Sequence, residues 1–311
     1  MKFIDFHCDT AYILFKNKGK TLKDNDLKVN VEKLKRGKAL GQFFALFIDD
    51  KENNDSFRTC LSMLNNLKSE LNKSNGDIKI CRGYNDYKDN KVSGKISAFL
   101  TIEGGEAIKD NLDSINFFKA QGVSLITLTW NYENNIGYPN YKYTYKDRGL
   151  KKFGLEAIER MNDLGIIIDV SHLSDGGFYD VLKYSKKPFV ASHSNSRFIT
   201  NHSRNLTDDM IKKLSNKGGV LGINFCSSFL GESKIAKVDD MVKHIRYIRN
   251  IGGVECISLG TDFDGIENEV EIKDSSEMEK LYYSLEKERF TMDEIEKIFY
   301  KNTERIIKDI L

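Results

Sequence analysis

Eight short apolar runs, separated by longer segments whose apolar residues recur at helical spacing, extend from one end of this 311-residue chain to the other. The runs cover residues 3–9, 40–48, 95–103, 123–130, 166–171, 188–193, 219–225 and 256–262. Between them lie segments such as DSFRTCLSMLNNLKSELNK, NLDSINFFKAQ, GLEAIERMNDLG, GGFYDVLKYSK, TDDMIKKLSNKGG and VDDMVKHIRYIRNIGG. Several open on Asp or Thr as helix N-caps and close on Gly. Eight strands alternating with eight helices predict an α/β fold, the (β/α)₈ or TIM barrel. Only two prolines occur and no Ser/Gly-rich linker or solenoid repeat interrupts the pattern, so residues 1–311 are read as a single barrel domain. The tail, TMDEIEKIFYKNTERIIKDIL, has a capping box at Thr291 and Glu294 and is expected to pack on the barrel's outside.

Charge and cysteine usage narrow the partners. Lysine and arginine number 48 against 46 acidic residues, a net charge of +2, so no global field draws the chain to nucleic acid or anionic lipid. No apolar run approaches the roughly 18 residues of a membrane span. The first residues, MKFIDFHCDT, carry none of the marks of a secretory leader. Cys8, Cys60, Cys81, Cys226 and Cys256 are odd in number, widely spaced and free of C-x-x-C, which fits reduced thiols in a cytoplasm. Cys8 sits between His7 and Asp9; strand alternation points it away from them, into the core.

Four of the five histidines lie at or just past the ends of apolar runs, each beside a carboxylate, serine or asparagine. FIDFHCD holds His7 and Asp9, SAFLTIEGG holds Glu103, IIIDVSH ends in His172, PFVASHS holds His193, and His202 lies farther out in a loop. Sites of this fold collect at the C-terminal ends of the strands, so these groups, with Asp262 in ISLGTDFDG, face one mouth. Imidazole and carboxylate are zinc's ligands where a site must also hold water, whereas a closed structural site favours thiolates. Three histidines and three carboxylates exceed what one tetrahedral ion needs, so a two-metal centre with a bridging carboxylate is the economical reading.

IDFHCDT, TIEGGEA, DVSHLS, ASHSNSR, SRNLTDDM and GTDFDGI resemble, in order and approximate spacing, signature segments of the renal or membrane dipeptidase family of zinc metallopeptidases. GLKKFGLEAIERMNDLGIIIDVSH and KNTERII are similar as well, so the resemblance covers nearly the whole chain. It implies that His7 and Asp9 hold one zinc, His172 and His193 the second, and that Glu103 bridges the two. It implies a catalytic acid/base at Asp262 and, at Arg204, a planar fork for the substrate's terminal carboxylate. The implied reaction is hydrolysis of a small dipeptide, L,L or L,D, by a hydroxide bridging two zinc ions per chain, with Asp262 carrying the proton to the leaving nitrogen. Relatives form homodimers, which makes a second copy of the chain an expected partner.

One residue departs from the family pattern. Where many relatives place a histidine after the fourth strand, ITLTWNYENN has Trp130. An indole N–H touches an oxyanion as a donor but neither accepts nor titrates, so Trp130 bears on substrate scope. Other readings stay open: another amidohydrolase-type reaction on a lactone, ester or other amide, or a binding scaffold that has lost catalysis. Each residue also has a plainer role available. A lone histidine after an apolar run is most often a hydrogen-bonded core residue, Asp262 can be a structural strand-end carboxylate, and Arg204 can pair with Asp208 or Asp209 at the surface. His202 is expected to face solvent or cap its loop, and His244, on an outer helix, is given no function. The tyrosine-rich residues 134–150 read as a lid over a small substrate or as an aromatic-packed loop.

Overall fold

A computed structural model describes residues 1–23, 25–49 and 55–311. Among them run nine parallel strands: β1 (Phe3–Cys8), β2 (Ala39–Phe47), β3 (Ile78–Ile80), β4 (Ile96–Glu103), β5 (Val123–Thr127), β6 (Ile167–Asp169), β7 (Val190–Ser194), β8 (Val220–Ile223) and β9 (Ile257–Leu259). Eight close a ring: β1 pairs with β2, β2 with β4, the strands from β4 to β9 pair in sequence, and β9 returns to β1. This is the (β/α)₈ barrel that the alternation predicts. The runs expected at 166–171, 219–225 and 256–262 keep ladder pairing only over β6, β8 and β9. Their last residues leave the sheet and build the loops of one mouth. No helix among the described residues is long and apolar enough to cross a membrane.

The strict alternation breaks once, between β2 and β4, where the helices Ser56–Asn72 and Tyr84–Val92 flank β3. On one side β4 pairs with β2 from Ser97 onward; on the other it meets β5 only from Leu100. The three residues of β3 pair with Ile96, Ser97 and Ala98, supplying partners to backbone that would otherwise be left open. With three residues and an exposed Lys79 at its centre, β3 has too little pattern to read from sequence.

Side-chain alternation sorts the barrel into an outer and an inner face. Phe44, Leu46, Leu100 and Ile102 pack outward under the helices, while Phe43 and Phe99 point inward, stacked with ring centroids 4.2 Å apart. Around them gather Ile4, Phe6, Leu125, Ile167, Val190 and Val220, which together plug the barrel. Glu103 lies four residues beyond Phe99 on the same face of β4, so the plug is the floor beneath the mouth where Glu103 sits.

The tail corrects an expectation. The capping box at Thr291 and Glu294 is present, but the final helix, Asn302–Ile310, does not lie on the outside. Its Ile306, Ile307 and Ile310 pack onto the plug, and the chain end abuts the turns before the strands: Asn302 donates to the carbonyls of Val254 and Ile257, and Lys187 to that of Ile310. Each buried isoleucine contributes about 1.5–3 kcal/mol. The helix therefore lays its apolar face across the lower end of the ring.

Candidate metal centre

Five of the eight apolar runs deliver a histidine or carboxylate to the upper mouth. His7 is the seventh residue and lies in β1, Asp9 follows it, Glu103 ends β4, His193 lies in β7, and His172 and Asp262 follow β6 and β9. All six side chains are buried or nearly so. His172 and Asp262 hold left-handed backbone, at φ 68° and 62°, a conformation that costs a non-glycine residue roughly 1–3 kcal/mol and clusters at functional sites.

The donors converge on Glu103. Its Oε1 lies 3.1 Å from His172 Nε2 and 3.5 Å from His193 Nε2, while its Oε2 lies 3.4 Å from His7 Nε2. His7 Nε2 is in turn 3.3 Å from Asp9 Oδ2 and 3.8 Å from Asp262 Oδ1. Around an ion whose ligands stand about 2.0–2.2 Å away, tetrahedral ligand atoms lie roughly 3.3–3.6 Å apart, within a few tenths of an ångström of the 3.1–3.8 Å found here. Two triads that meet a looser spacing, His7–Glu103–His193 and His7–Asp9–Asp262, share His7, and His172 joins them through Glu103 and His193, so the six groups form one continuous cluster.

Hydrogen bonding decides which ring nitrogens carry protons. His172 Nδ1 is 3.1 Å from the carbonyl oxygen of the Asn131 side chain, to which it donates. Asp169 accepts from Ser192 Oγ at 2.6 Å, so Ser192 Oγ has only lone pairs left for His193 Nδ1, 2.7 Å away, and that nitrogen donates. Both Nε2 atoms then carry bare lone pairs, yet they face each other at 3.1 Å with a carboxylate oxygen beside them. Three electron-pair donors meeting with no proton among them fit a cation.

Burial and neighbouring charges set the protonation of the cluster. Burial alone would depress His7, but Glu103 and Asp9 outweigh it and hold the imidazole well above its ordinary value. Burial pushes Glu103 up, and the His7 charge pulls it well below the carboxylate range. Burial and the charge of Glu103 lift Asp9 to about 8, and burial lowers His172 to about 3. Asp262 is raised by burial, and its Oδ2 accepts from Asn224 Nδ2 at 2.9 Å.

The cluster forms the floor of a cavity of about 490 Å³ whose walls include Tyr12, Phe47, Trp130, Phe229 and Ile266. Trp130 lines it half-buried, edge-on to Phe47 at 4.7 Å and 6.3 Å from the His172 ring. Arg204 is buried at 4% exposure and makes no ion pair with Asp208 or Asp209, which bond instead to Tyr247 and to Lys213 and Tyr179. One Arg204 nitrogen donates to the His193 carbonyl, while Nε and Nη1 have no protein partner. A buried guanidinium with two free donors at a cavity wall has the chemistry to receive an anion.

His202 caps its loop: Nδ1 accepts the Arg204 backbone N–H, and the ring packs 4.5 Å from Phe229. His244 is buried rather than outward, accepting from the Ser196 N–H and donating to the Leu230 carbonyl. Cys8 packs in the outer core. Asn131, Asn224, Ser192 and Asp169 were not singled out in the sequence. Asp169 carries a signal nonetheless, since a carboxylate inside the apolar run IIIDVSH must be paired.

The family model of the membrane dipeptidases, peptidase family M19, matches residues 1–311. An uncharacterized dipeptidase of Schizosaccharomyces pombe is 32% identical over 292 residues, covering 85% of this chain and 69% of that protein. Two solved structures share the fold. One is a metallopeptidase of Rhodobacter sphaeroides liganded with a phosphinate mimic of L-Ala-D-Ala, at TM-score 0.93 and 23% identity, covering 100% of this chain and 99% of that one. The other is the M19 dipeptidase AC, at TM-score 0.94 and 24% identity, covering 100% and 98%.

Proposed function

The chain belongs to the membrane dipeptidase family of metallopeptidases, and from that premise we propose that it hydrolyses small dipeptides, L,D as well as L,L, at a pair of zinc ions. The observation that carries this reading is the division of Glu103, one oxygen facing His172 and His193 and the other facing His7. His7 and Asp9 would hold one ion and His172 and His193 the second, with Glu103 offering an oxygen to each side. Imidazoles and carboxylates, with no thiolate in the cluster, suit zinc where substrate and water must enter. When bound, the ions supply a water of lowered pKa and a Lewis acid for the peptide carbonyl.

The chain's own residues do the rest. Arg204 takes the C-terminal carboxylate on its free Nε and Nη1, which fixes the dipeptide's length and aims its carbonyl at the cluster. Asn224 pins Oδ2 of Asp262 and leaves Oδ1 on the cluster side, where it accepts a proton from the attacking water and passes it to the leaving nitrogen. Such general acid–base transfer contributes about 10²–10⁴-fold. Trp130 walls the site beside His172, where it would border the bound substrate. Five free cysteines, four of them buried, fit a reducing compartment, and we place the enzyme in the cytoplasm.

Metal content and a dipeptide panel, measured on one preparation, test the proposal. Two zinc ions per chain with release of free amino acids from L,L and L,D dipeptides is the expected result. Zinc-loaded protein that cleaves no member of the panel would refute it.

A further inference from the structure

A second cavity, of about 390 Å³, opens beside the first and shares Asn131, His172, Arg204 and Phe229 with it. Its remaining wall comes from the tyrosine-rich segment, through Tyr141 and Tyr143, and from the loop that carries Asn201 and His202. The segment is tied down. The Asn140 N–H donates to the His172 carbonyl at 2.7 Å, and the carbonyls of Tyr138 and Lys146 accept from Ser174 and Gly176 at 2.9 Å.

The walls are also fixed ring by ring. Tyr143 donates its hydroxyl to Asn201 Oδ1 at 3.0 Å and lies under the Arg197 guanidinium at 5.2 Å. Arg197 is itself clamped by Asp175 through two bonds of 2.6 and 2.8 Å. Across the cavity, His202 leans on Phe229, and Phe229 lies 5.4 Å from the Arg204 guanidinium. This is a preformed, aromatic-sided pocket; of the cluster only His172 reaches its wall, and Asp262 lies outside it.

Arg204 lies on the boundary of both cavities, with its two unpartnered nitrogens available to a carboxylate. In a dipeptide held by that arginine, the atom bonded to the carboxylate is the α-carbon of the C-terminal residue. Its side chain therefore starts at the shared wall, while the N-terminal residue extends over the cluster within the first cavity. We infer that the second cavity receives the side chain of the C-terminal residue and favours an aromatic one. The inference rests on the dipeptidase reading and names its substrate class. Aromatic rings bury roughly 150–250 Å² and gain from edge and offset contacts with other rings, which Tyr141, Tyr143, His202 and Phe229 offer.

The test compares kcat/KM for Ala-Gly, Ala-Ala, Ala-Phe and Ala-Tyr, and for Phe-Ala, in the metal-loaded wild type, Asn201→Trp and Tyr143→Ala. Wild type should prefer Ala-Phe over Ala-Gly by at least about tenfold. Asn201→Trp fills the cavity and Tyr143→Ala removes a wall, and both should cut that ratio by about tenfold while the Phe-Ala to Ala-Ala ratio holds. Free phenylalanine should likewise bind wild type more tightly than glycine does, and lose the advantage in Asn201→Trp, a readout that needs no turnover. Dipeptides cleaved with an Ala-Phe to Ala-Gly ratio that neither variant moves would overturn the inference and leave the dipeptidase reading standing. No cleavage of any dipeptide would overturn both.

Discussion

At the lower mouth of the barrel, Phe43, Phe99, Val190 and Val220 meet Ile306, Ile307 and Ile310 in an apolar plug; a few residues further along the same strands, Glu103 and His193 meet His7 among charges. The floor obeys the rules of stability: apolar side chains, stacked rings, hydrogen-bonded turns. The upper mouth breaks them, with left-handed backbone at His172 and Asp262 and lone pairs facing each other across 3.1 Å. One set of strands supports both because residues four apart on a strand share a face yet lie roughly 13 Å apart, so strain at one end need not loosen the other. A change at the floor should cost stability and spare chemistry, and a change at the mouth should do the reverse.

The largest separation is expected from Asp262→Asn. Asparagine tolerates left-handed backbone and keeps the bond to Asn224, so the fold should survive with its melting temperature unchanged or higher. Turnover of a dipeptide should fall about 10²–10⁴-fold; steady-state kinetics beside a thermal melt reads both, and a loss under tenfold would remove Asp262 from the proton path. At the floor, Phe99→Ala deletes a ring stacked on Phe43 and should cost about 3–5 kcal/mol in denaturant unfolding. The folded fraction should keep kcat within about twofold of wild type. A comparable loss of kcat would show that the two ends are coupled.

The smallest effect concerns His244, which ties the helix Val238–Gly252 to the loop after β7. Burial lowers its pKa to about 4, whereas an unfolded histidine titrates near 6.5. Between those values the unfolded chain binds more protons, so the stability is fully present above about pH 6.5 and is lost as the pH falls toward 4. The loss amounts to about 3 kcal/mol. His244→Gln cannot titrate there, so its stability should decline less across that window. Parallel curves for the two proteins would show that His244 does not carry the effect.

What the sequence made legible was whatever carried its own signal. Apolar runs at strand length alternating with helical period placed the eight barrel strands, and a histidine or carboxylate at the end of a run marked the positions that the structure gathers at one mouth. What stayed hidden lacked a local pattern. β3 is three residues long and defined only by the open edge of β4. Asn131, Asn224 and Ser192 are ordinary polar letters until the fold sets them against His172, Asp262 and His193. The final helix has the same amphipathic period whether it covers the barrel's side or its floor. Only the ring's closure decides between them.

The account turns on Glu103 being shared by two ions. Anomalous diffraction at the zinc edge from crystals grown with zinc tests this directly. It should give two peaks in each chain, one beside His172 and His193 and one beside His7 and Asp9, with a Glu103 oxygen on each. A single peak, or two peaks with Glu103 bound to neither, would contradict it.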